Sequence, residues 1–189
     1  EFLETEQLPK RIIFVGGGYI AFEFAHVAAR ANAKVRIIHR GIRPLEGFDP
    51  DLVDTLVRAT RNLGVEVDLG ATVESVRKEG EHFIVTASTS NSSETFEADM
   101  VVHGAGRVPD IDDMTLETAN VERGKKGIQV NEFLQSVSNP LVFAAGDAAD
   151  SGGLPLTPVA TMQGHVVASN LLKGNHRRPD YRGIGTAVF

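Results

Sequence analysis

A glycine-rich hexapeptide near the start of the chain has the residue types that could bind a dinucleotide. It fits the spacing G-x-G-x-x-A and consists of Gly16, Gly17, Gly18, Tyr19, Ile20 and Ala21. It follows an apolar run and precedes a helical pattern, so backbone amides at a helix N-terminus could face a pyrophosphate. Gly16 would allow the tight turn, Gly18 the close approach of the phosphates, and Ala21 the packing of helix on strand. We therefore predict a dinucleotide site here; the alternative is a glycine turn without a ligand.

The charges at the end of the second predicted strand favour a cofactor that carries a 2′-phosphate. NAD sites usually have Asp or Glu at that point, about 20 residues beyond the glycines, to bind the ribose hydroxyls. This chain has His39 there, followed by Arg40 and Arg43, and no carboxylate before Glu46. Arginine can hold a phosphate through two parallel hydrogen bonds. We therefore predict that His39, Arg40 and Arg43 help to bind NADP(H) in preference to NAD(H). The alternative is that the arginines are ordinary solvated loop cations.

The elements that must position these residues begin with a βαβ unit. A buried-strand pattern at 11–15, a helical pattern at 18–30 and a strand pattern at 35–38 predict a right-handed crossover. The residues expected on the buried stripe of the helix are Ile20, Phe24, Val27 and Ala28.

Helix and strand patterns continue to residue 103 and become sparse beyond it. The next predicted elements are a helix from Asp49-Pro50 to Gly64, a strand at 65–69, antiparallel segments at 72–77, 82–86 and 95–98, and a strand at 99–103. Asp49 can cap the helix, Pro50 suits its first position, and Gly64 suits the residue after its end. Later elements are strands at 127–130 and 141–144 and a helix at 157–172. These are too few for a complete doubly wound sheet.

Composition places the chain among globular proteins and excludes several functions. It has 189 residues, 19 basic and 25 acidic side chains, a formal net charge of −6 and no Cys. The acidic balance disfavours nucleic acid, and no apolar run approaches the roughly 20 residues that span a bilayer. There is no disulfide or thiolate metal site, and no His has a spacing suggestive of metal ligation. Without a signal peptide we expect a cytoplasmic protein, and without an initiating Met we expect a piece of a longer one.

Three stretches, taken in order, carry a resemblance to one family. They are residues 17–25, the junction Gly104-Ala105-Gly106-Arg107-Val108-Pro109-Asp110, and residues 135–147 with the following Leu156-Thr157-Pro158-Val159-Ala160. Together they resemble the glutathione-reductase-like pyridine nucleotide-disulfide oxidoreductases, also called flavoprotein disulfide reductases, over most of residues 8–189. The junction is similar to the family's ATGRxPN motif, with a Gly in place of the usual residue on the Thr side and Asp110 in place of the usual Asn. Residues 179–183 are similar to the entry into the family's dimerisation domain.

The resemblance implies a fold class and a division of the chain. The fold is expected to be α/β, with a Rossmann-like βαβ dinucleotide-binding domain, an antiparallel meander and an incomplete α/β flavin-domain segment. The implied domains are a linker at 1–8, an NAD(P)-binding domain at 9–103, the C-terminal portion of an FAD-binding domain at 104–175, and the start of a truncated dimerisation domain at 176–189. The parent protein is expected to be an FAD-containing homodimer.

The resemblance also assigns roles to residues around NAD(P). Tyr19 matches an aromatic gate that covers the flavin ring until nicotinamide displaces it, and Glu23 matches a carboxylate beside the nicotinamide pocket. Both are predicted to be catalytic. Arg40 matches a position that holds the 2′-phosphate in NADPH-using members, whereas His39 stands where NADH-using members carry Glu. A second phosphate-binding Arg of the NADPH enzymes would align with Glu46, which departs from the pattern.

Further assignments concern the flavin. Asp147, which follows Gly146, matches the carboxylate that accepts from a ribityl hydroxyl of FAD. Its alternative role is helix capping. Backbone amides around Thr157-Pro158 match those that face the pyrimidine edge of the flavin, and the Ala105-Gly106 dipeptide of the junction is included among the cofactor-binding residues.

The function that the resemblance implies is that of an oxidoreductase. The parent would pass hydride from NADPH to FAD and then electrons to a small-molecule disulfide, through cysteines that this chain lacks. The fragment alone is expected to be inactive. Two alternatives stay open: a parent of the NADH-dependent lipoamide dehydrogenase or NADH oxidase type, and a non-catalytic nucleotide-binding module. No nucleic-acid or membrane partner is expected.

Overall fold

The computed structural model describes residues 2–188, which form two compact units. The first contains residues 2–106 with 187 and 188, and the second contains Arg107–Thr186. The strands are β1 (Arg11–Val15), β2 (Lys34–His39), β3 (Glu66–Leu69), β4 (Thr72–Glu79), β5 (His82–Ser88), β6 (Ser93–Ala98), β7 (Met100–His103), β8 (Arg123–Gly124), β9 (Gly127–Gln129) and β10 (Ala149–Asp150). The helices are α1 (Tyr19–Arg30), α2 (Pro50–Asn62) and α3 (Thr157–Lys173). Within residues 2–188 no helix is both long enough and apolar enough to cross a membrane.

A four-stranded parallel sheet forms the centre of the first unit, in the order β3-β2-β1-β7. Val15 of β1 is in register with Ile38 of β2 on one side and with His103 of β7 on the other. The carboxyl ends of the strands therefore lie along one edge. Because the chain passes from β1 to β2 on one side while β7 lies on the other, the strand order reverses at β1, where such sheets bind ligands. The predicted Rossmann-like α/β fold is confirmed.

The two faces of this sheet pack against different layers. Ile12, Phe14 and Ile37 belong to a core shared with α1 and α2, and each is at most 1% exposed. Ile13 and Ile38 belong to a second core, formed with the antiparallel meander β4-β5-β6. Both faces are buried, which is why these strands read as continuous apolar runs. The meander was predicted, although its strands are longer than their patterns indicated.

Helix α1 is rotated relative to its predicted stripe. Its buried residues include Ala21, Phe22, Ala25 and Ala28, whereas Val27 is 59% exposed. The prediction that Val27 faces the core is therefore wrong. The alanines allow the helix to lie close to the sheet, and Phe22 fills the remaining space, so the larger aliphatic side chain is left outside.

Helix α2 begins and ends as predicted. The Asp49 carboxylate accepts from the backbone amides of Asp51 and Leu52, at 3.0 and 3.2 Å. Pro50 is the first helical residue, and Gly64 has a φ of +91° just beyond the helix end. The cap satisfies amides that lack an intrahelical acceptor, and glycine adopts the left-handed conformation at little cost.

The second unit has fewer regular elements. Strands β8, β9 and β10 form a small sheet, and Ile111, Leu116 and Ile128 are buried in the core of this unit. The predicted strand at 141–144 is wrong, since Phe143 makes a single antiparallel bridge to Gln135 and a 3₁₀ turn follows at Gly146–Ala148. The segment pairs with the short stretch 134–136, and a strand needs a longer partner.

Both ends of the described chain pack against the units. In the stretch predicted as a linker at 1–8, of which residue 1 lies outside the described residues, the ring centroid of Phe2 lies 5.0 Å from that of Phe24 and 5.5 Å from that of Phe14. Residues 104–106, predicted to begin the flavin segment, lie in the first unit. Of residues 176–189, predicted to start a truncated dimerisation domain, 176–186 lie in the second unit, where the Asn170 side chain binds the backbone of Arg177, and 187 and 188 lie in the first. Residue 189 lies outside the described residues.

Candidate functional site

The glycine-rich hexapeptide lies at the carboxyl edge of the parallel sheet, between β1 and α1. Gly16 has a φ of +120°, and a Cβ there would overlap the Gly104 carbonyl group. Glycine is the residue that tolerates both conditions. A Cβ at Gly18 would instead meet Gly104 O at 3.7 Å, an ordinary contact, and would otherwise project into open space. Gly16 is thus required by the fold, whereas Gly18 leaves room for a ligand.

Helix α1 begins beside that open space. Gly18 is its N-cap residue and has no side chain that could accept from the following amides. The first amides of an α-helix lack intrahelical acceptors and carry the positive end of the helix dipole. Ala21 is fully buried, and its Cβ lies 3.1 Å from the place that a Cβ on Gly104 would take. The close packing of α1 on the loop after β7 therefore fixes the direction of the free amides, which suit an anion.

His39, at the end of β2, is held between two glycines. A Cβ on Gly17 would lie 2.6 Å from the ring Cγ, and one on Gly41 would lie 2.7 Å from Nε2. His39 Nε2 also lies 3.2 Å from the carbonyl oxygen of Arg43. A carbonyl oxygen can only accept, so Nε2 carries the proton in this hydrogen bond. Gly17, which has no clear role in the sequence motif, is the glycine that admits the imidazole.

The two arginines predicted to bind phosphate differ in their surroundings. Arg40 is exposed, whereas Arg43 is half-buried. The Nε atom of Arg43 is buried without a hydrogen-bond partner among the described residues. Glu46 lies on the same loop, with Oε1 3.4 Å from the position of a Cβ on Gly41. The loop therefore presents two cations and one carboxylate beside the end of β2.

Tyr19 and Glu23 lie one turn apart at the start of α1. Residues four apart on a helix share a face. Tyr19 is half-buried and packs against the core of the first unit, and Glu23 is also half-buried. Ile20, between them, is half-buried as well. The two candidate catalytic side chains therefore share one face of the helix that begins at Gly18.

The Ala105-Gly106 dipeptide follows β7 and is exposed. Its first amide nitrogen lies 2.6 Å from the position that a Cβ on Gly16 would take. The Gly104 amide donates to Val15 O at 2.7 Å and extends the pairing of β7 with β1. The two glycine-rich stretches are thus adjacent in space, although they are far apart in the sequence.

In the second unit, Asp147 forms an ion pair that was not predicted. Arg107 Nη1 lies 3.1 Å from Asp147 Oδ2, with the two side chains 51% and 48% exposed. Arg107 Nη2 also donates to the carbonyl of Pro155 at 3.2 Å. One guanidinium thus links Asp147 to the segment before α3. An ion pair this exposed contributes little to stability, about 0–1 kcal/mol, so a ligand could compete for either partner.

The start of α3 also lacks a side-chain cap. Leu156 is its N-cap residue and makes no side-chain capping bond, and Thr157 and Pro158 are exposed. Proline has no amide proton, so Pro158 itself adds no unsatisfied donor to the first turn. The remaining amides of that turn could bind a polar edge of a ligand.

Two residues of the second unit were missed as site residues by sequence reasoning. Arg107 belongs to the recognised junction motif, but no sequence signal indicates its pairing with Asp147. Gln163 is 1% exposed, and its Oε1 accepts from the amide of Gly146 at 2.6 Å. Its place on a helix gave no indication of this bond, because the partner is a backbone group.

The relatives with similar sequences include the following three proteins. A protein of Staphylococcus aureus named "Uncharacterized 19.7 kDa protein in mercuric resistance operon" is 64% identical over 76 residues, 40% of this chain and 42% of its own length. The mercuric reductase of Lysinibacillus sphaericus is 30% identical over 99% of this chain and 34% of its own length. The glutathione reductase of Burkholderia cepacia is 34% identical over 96% of this chain and 39% of its own length. The chain thus spans less than half the length of these curated relatives.

A solved structure and a family model agree with these relatives. The crystal structure of LpdA from Mycobacterium tuberculosis aligns with a TM-score of 0.84 and 25% identity, over 98% of this chain and 39% of that chain. The model of the family described as pyridine nucleotide-disulphide oxidoreductase matches residues 1–164. The chain therefore belongs to the pyridine nucleotide-disulphide oxidoreductase family.

Proposed function

We propose that this chain is the NAD(P)H-binding part of a flavin-dependent oxidoreductase that reduces a small-molecule disulfide. The observation that carries the proposal is the open space at Gly18, beside uncapped amides of α1 and at the reversal of strand order. The names of the relatives, which include glutathione reductase, favour a disulfide as the acceptor. Nicotinamide and flavin, when bound, supply the hydride chemistry, and the chain supplies binding and orientation.

The residues at the carboxyl edge of the sheet fit a dinucleotide. The free amides of α1 would bind the pyrophosphate, and Gly18 would let it approach. Tyr19 and Glu23, on one face of α1, would line the nicotinamide end, with Tyr19 covering the flavin side until nicotinamide enters. Ala105-Gly106, packed beside Gly16, would form the facing wall.

The residues of the second unit fit part of a flavin site. Asp147 is half-exposed and would accept a hydrogen bond from a ribityl hydroxyl, next to Gly146. The amides that follow Thr157-Pro158 would bind the pyrimidine edge. Arg107 supports this reading, since it links Asp147 to the segment before α3.

We further propose that the cofactor is NADPH rather than NADH. The exposed Arg40 and the half-buried Arg43, whose Nε has no hydrogen-bond partner among the described residues, favour a 2′-phosphate, because a guanidinium group can hold a phosphate through two parallel hydrogen bonds. His39 holds the carbonyl of Arg43 and so helps to fix the loop. Glu46 opposes this preference, since its carboxylate would repel a phosphate bound beside Gly41.

Calorimetric titration of the chain with NADPH and with NADH at low salt tests the cofactor. We expect NADPH to bind at least tenfold more tightly, about 1.4 kcal/mol. Arg40→Glu should abolish the preference, whereas Arg58→Glu, an exposed substitution on α2, should leave it unchanged. Equal or NADH-favoured binding by the unaltered chain would contradict the NADPH proposal and favour the NADH-using type of flavoenzyme, with Glu46 as the ribose acceptor. Failure of both nucleotides to bind would contradict the proposed function as a whole.

A further inference from the structure

Gln163 is a buried amide on α3 with all of its polar atoms engaged in long-range contacts. Its Oε1 accepts from Gly146 N at 2.6 Å, and its Nε2 lies 2.8 Å from Ser151 Oγ and 2.9 Å from the hydroxyl of Tyr181. A backbone amide can only donate, so the orientation of this carboxamide is determined by Gly146. One side chain, 1% exposed, thus joins α3 to three other segments of the second unit.

The first of these segments is the turn that carries Asp147. Gly146 has a φ of +65°, and a Cβ on it would lie 3.2 Å from Ala160 Cβ on α3. The hydrogen bond that the Gly146 amide donates to Gln163 and this close packing hold the turn against the helix. The position of Asp147 therefore depends on a bond to its neighbour's amide, in addition to the exposed pair with Arg107.

The second segment is the C-terminal stretch 174–182, which returns along α3. Asn170, 2% exposed, accepts from the amides of His176 and Arg177 and donates to the Arg177 carbonyl. The hydroxyl of Tyr181 extends this attachment to Gln163. The stretch has no regular secondary structure, so these side-chain bonds determine where it lies.

We propose that Gln163 is a positioning residue that couples docking of the stretch 174–182 to the turn that carries Asp147. The Gly146 amide and the Tyr181 hydroxyl bind the same planar carboxamide, so loss of the Tyr181 acceptor frees an Nε2 proton on a side chain that is 1% exposed. The carboxamide then either keeps an unpaired donor or rotates, and rotation breaks the bond to Gly146. The coupling itself needs no ligand. Its functional significance rests on the proposed role of Asp147 in flavin binding.

Residue-resolved amide hydrogen exchange on the full chain, without cofactor, tests the coupling. Tyr181→Phe removes one oxygen atom, and we expect it to raise the exchange rate of the Gly146 amide about tenfold, which corresponds to about 1.4 kcal/mol. Arg182→Gln is the matched control, since it removes an exposed ion pair with Asp180 beside the same residue. That control should leave Gly146 unchanged. Amides in the middle of α3 should keep their rates in both variants.

Substitutions of Gln163 itself distinguish positioning from general packing. Gln163→Met keeps the length of the side chain but replaces the carboxamide oxygen by a sulfur that is only a weak acceptor, so it should raise Gly146 exchange as much as Tyr181→Phe or more. Gln163→Glu keeps an acceptor and should restore part of the protection relative to Gln163→Met. An unchanged Gly146 rate in Tyr181→Phe, or an equal rise at Gly146 and throughout α3, would overturn the coupling. Failure of the chain to bind either nucleotide would contradict the proposed function and leave these exchange results standing.

Discussion

Two neighbouring glycines in the β1–α1 turn should respond differently to the same added methyl group, one mainly in stability and the other mainly in cofactor affinity. In Gly17→Ala the new Cβ would lie 2.6 Å from Cγ and 2.7 Å from Nδ1 of His39. The imidazole cannot retreat freely, because Nε2 is bound to Arg43 O and abuts Gly41. In Gly18→Ala the new Cβ would make one ordinary contact, 3.7 Å from Gly104 O.

These distances give different magnitudes for the two variants. Gly17→Ala forces overpacking and should lower the free energy of unfolding by about 1–3 kcal/mol. Gly18→Ala should cost less than about 1 kcal/mol, the loss expected when alanine replaces glycine at a helix N-cap. The same Gly18→Ala methyl occupies the space through which a pyrophosphate would approach. It should therefore weaken NADPH binding at least tenfold, about 1.4 kcal/mol.

Urea unfolding followed by circular dichroism measures the first quantity, and calorimetric titration with NADPH measures the second. We expect Gly17→Ala to lose more stability than Gly18→Ala, and we expect Gly18→Ala to remain folded but to lose affinity for NADPH. Unchanged affinity in a folded Gly18→Ala chain would refute the placement of the phosphates at this turn. Unchanged stability of Gly17→Ala would refute the contact between Gly17 and His39.

Other predictions concern helix α2 and its contact with α1. The buried Thr60 hydroxyl donates to the Leu56 carbonyl and accepts from His26 Nε2 at 2.8 Å. Thr60→Val removes this hydroxyl and should lower the free energy of unfolding in urea by about 1–3 kcal/mol. The exposed Thr55→Val on the same helix should lower it much less. Burial, and secondarily the charge of Arg30, lowers the pKa of His26 from its ordinary value of 6.5. The unfolded chain therefore takes up the proton first, and stability should fall as the pH drops below about 6.5, with His26→Gln showing a flatter profile by the same urea assay. Asp49→Ala should cost about 1 kcal/mol by loss of the α2 cap, read as a lower urea midpoint.

Several features of the protein follow from local sequence because short-range physics decides them. The Asp49 cap and the terminal Gly64 of α2 depend on residues within one turn, and both were correctly predicted. The continuous apolar run 11–15 predicts a strand buried on both faces. The spacing of Gly16 and Ala21 after that run predicts a strand–turn–helix unit, since only small residues fit there.

Other features were decided by tertiary structure, because the atoms involved meet across long separations in the chain. The rotation of α1 that leaves Val27 exposed depends on how closely the alanines approach the sheet. The strand expected at 141–144 lacks a partner long enough to form one. The need for glycine at position 17 comes from the His39 ring, which arrives from the next strand.

The same division applies to the candidate site in each unit. Sequence motifs alone indicate the glycine turn, the cations at positions 40 and 43, and the carboxylate Asp147, because each lies within a contiguous pattern of residue types. The pair of Arg107 with Asp147 and the bonds of Gln163 to Gly146 and Tyr181 join residues 17 to 40 positions apart. A hydrogen bond of this kind depends on direction and on a distance near 3 Å. Such geometry exists only once the second unit has packed, and no pattern of residue types along the chain encodes it visibly.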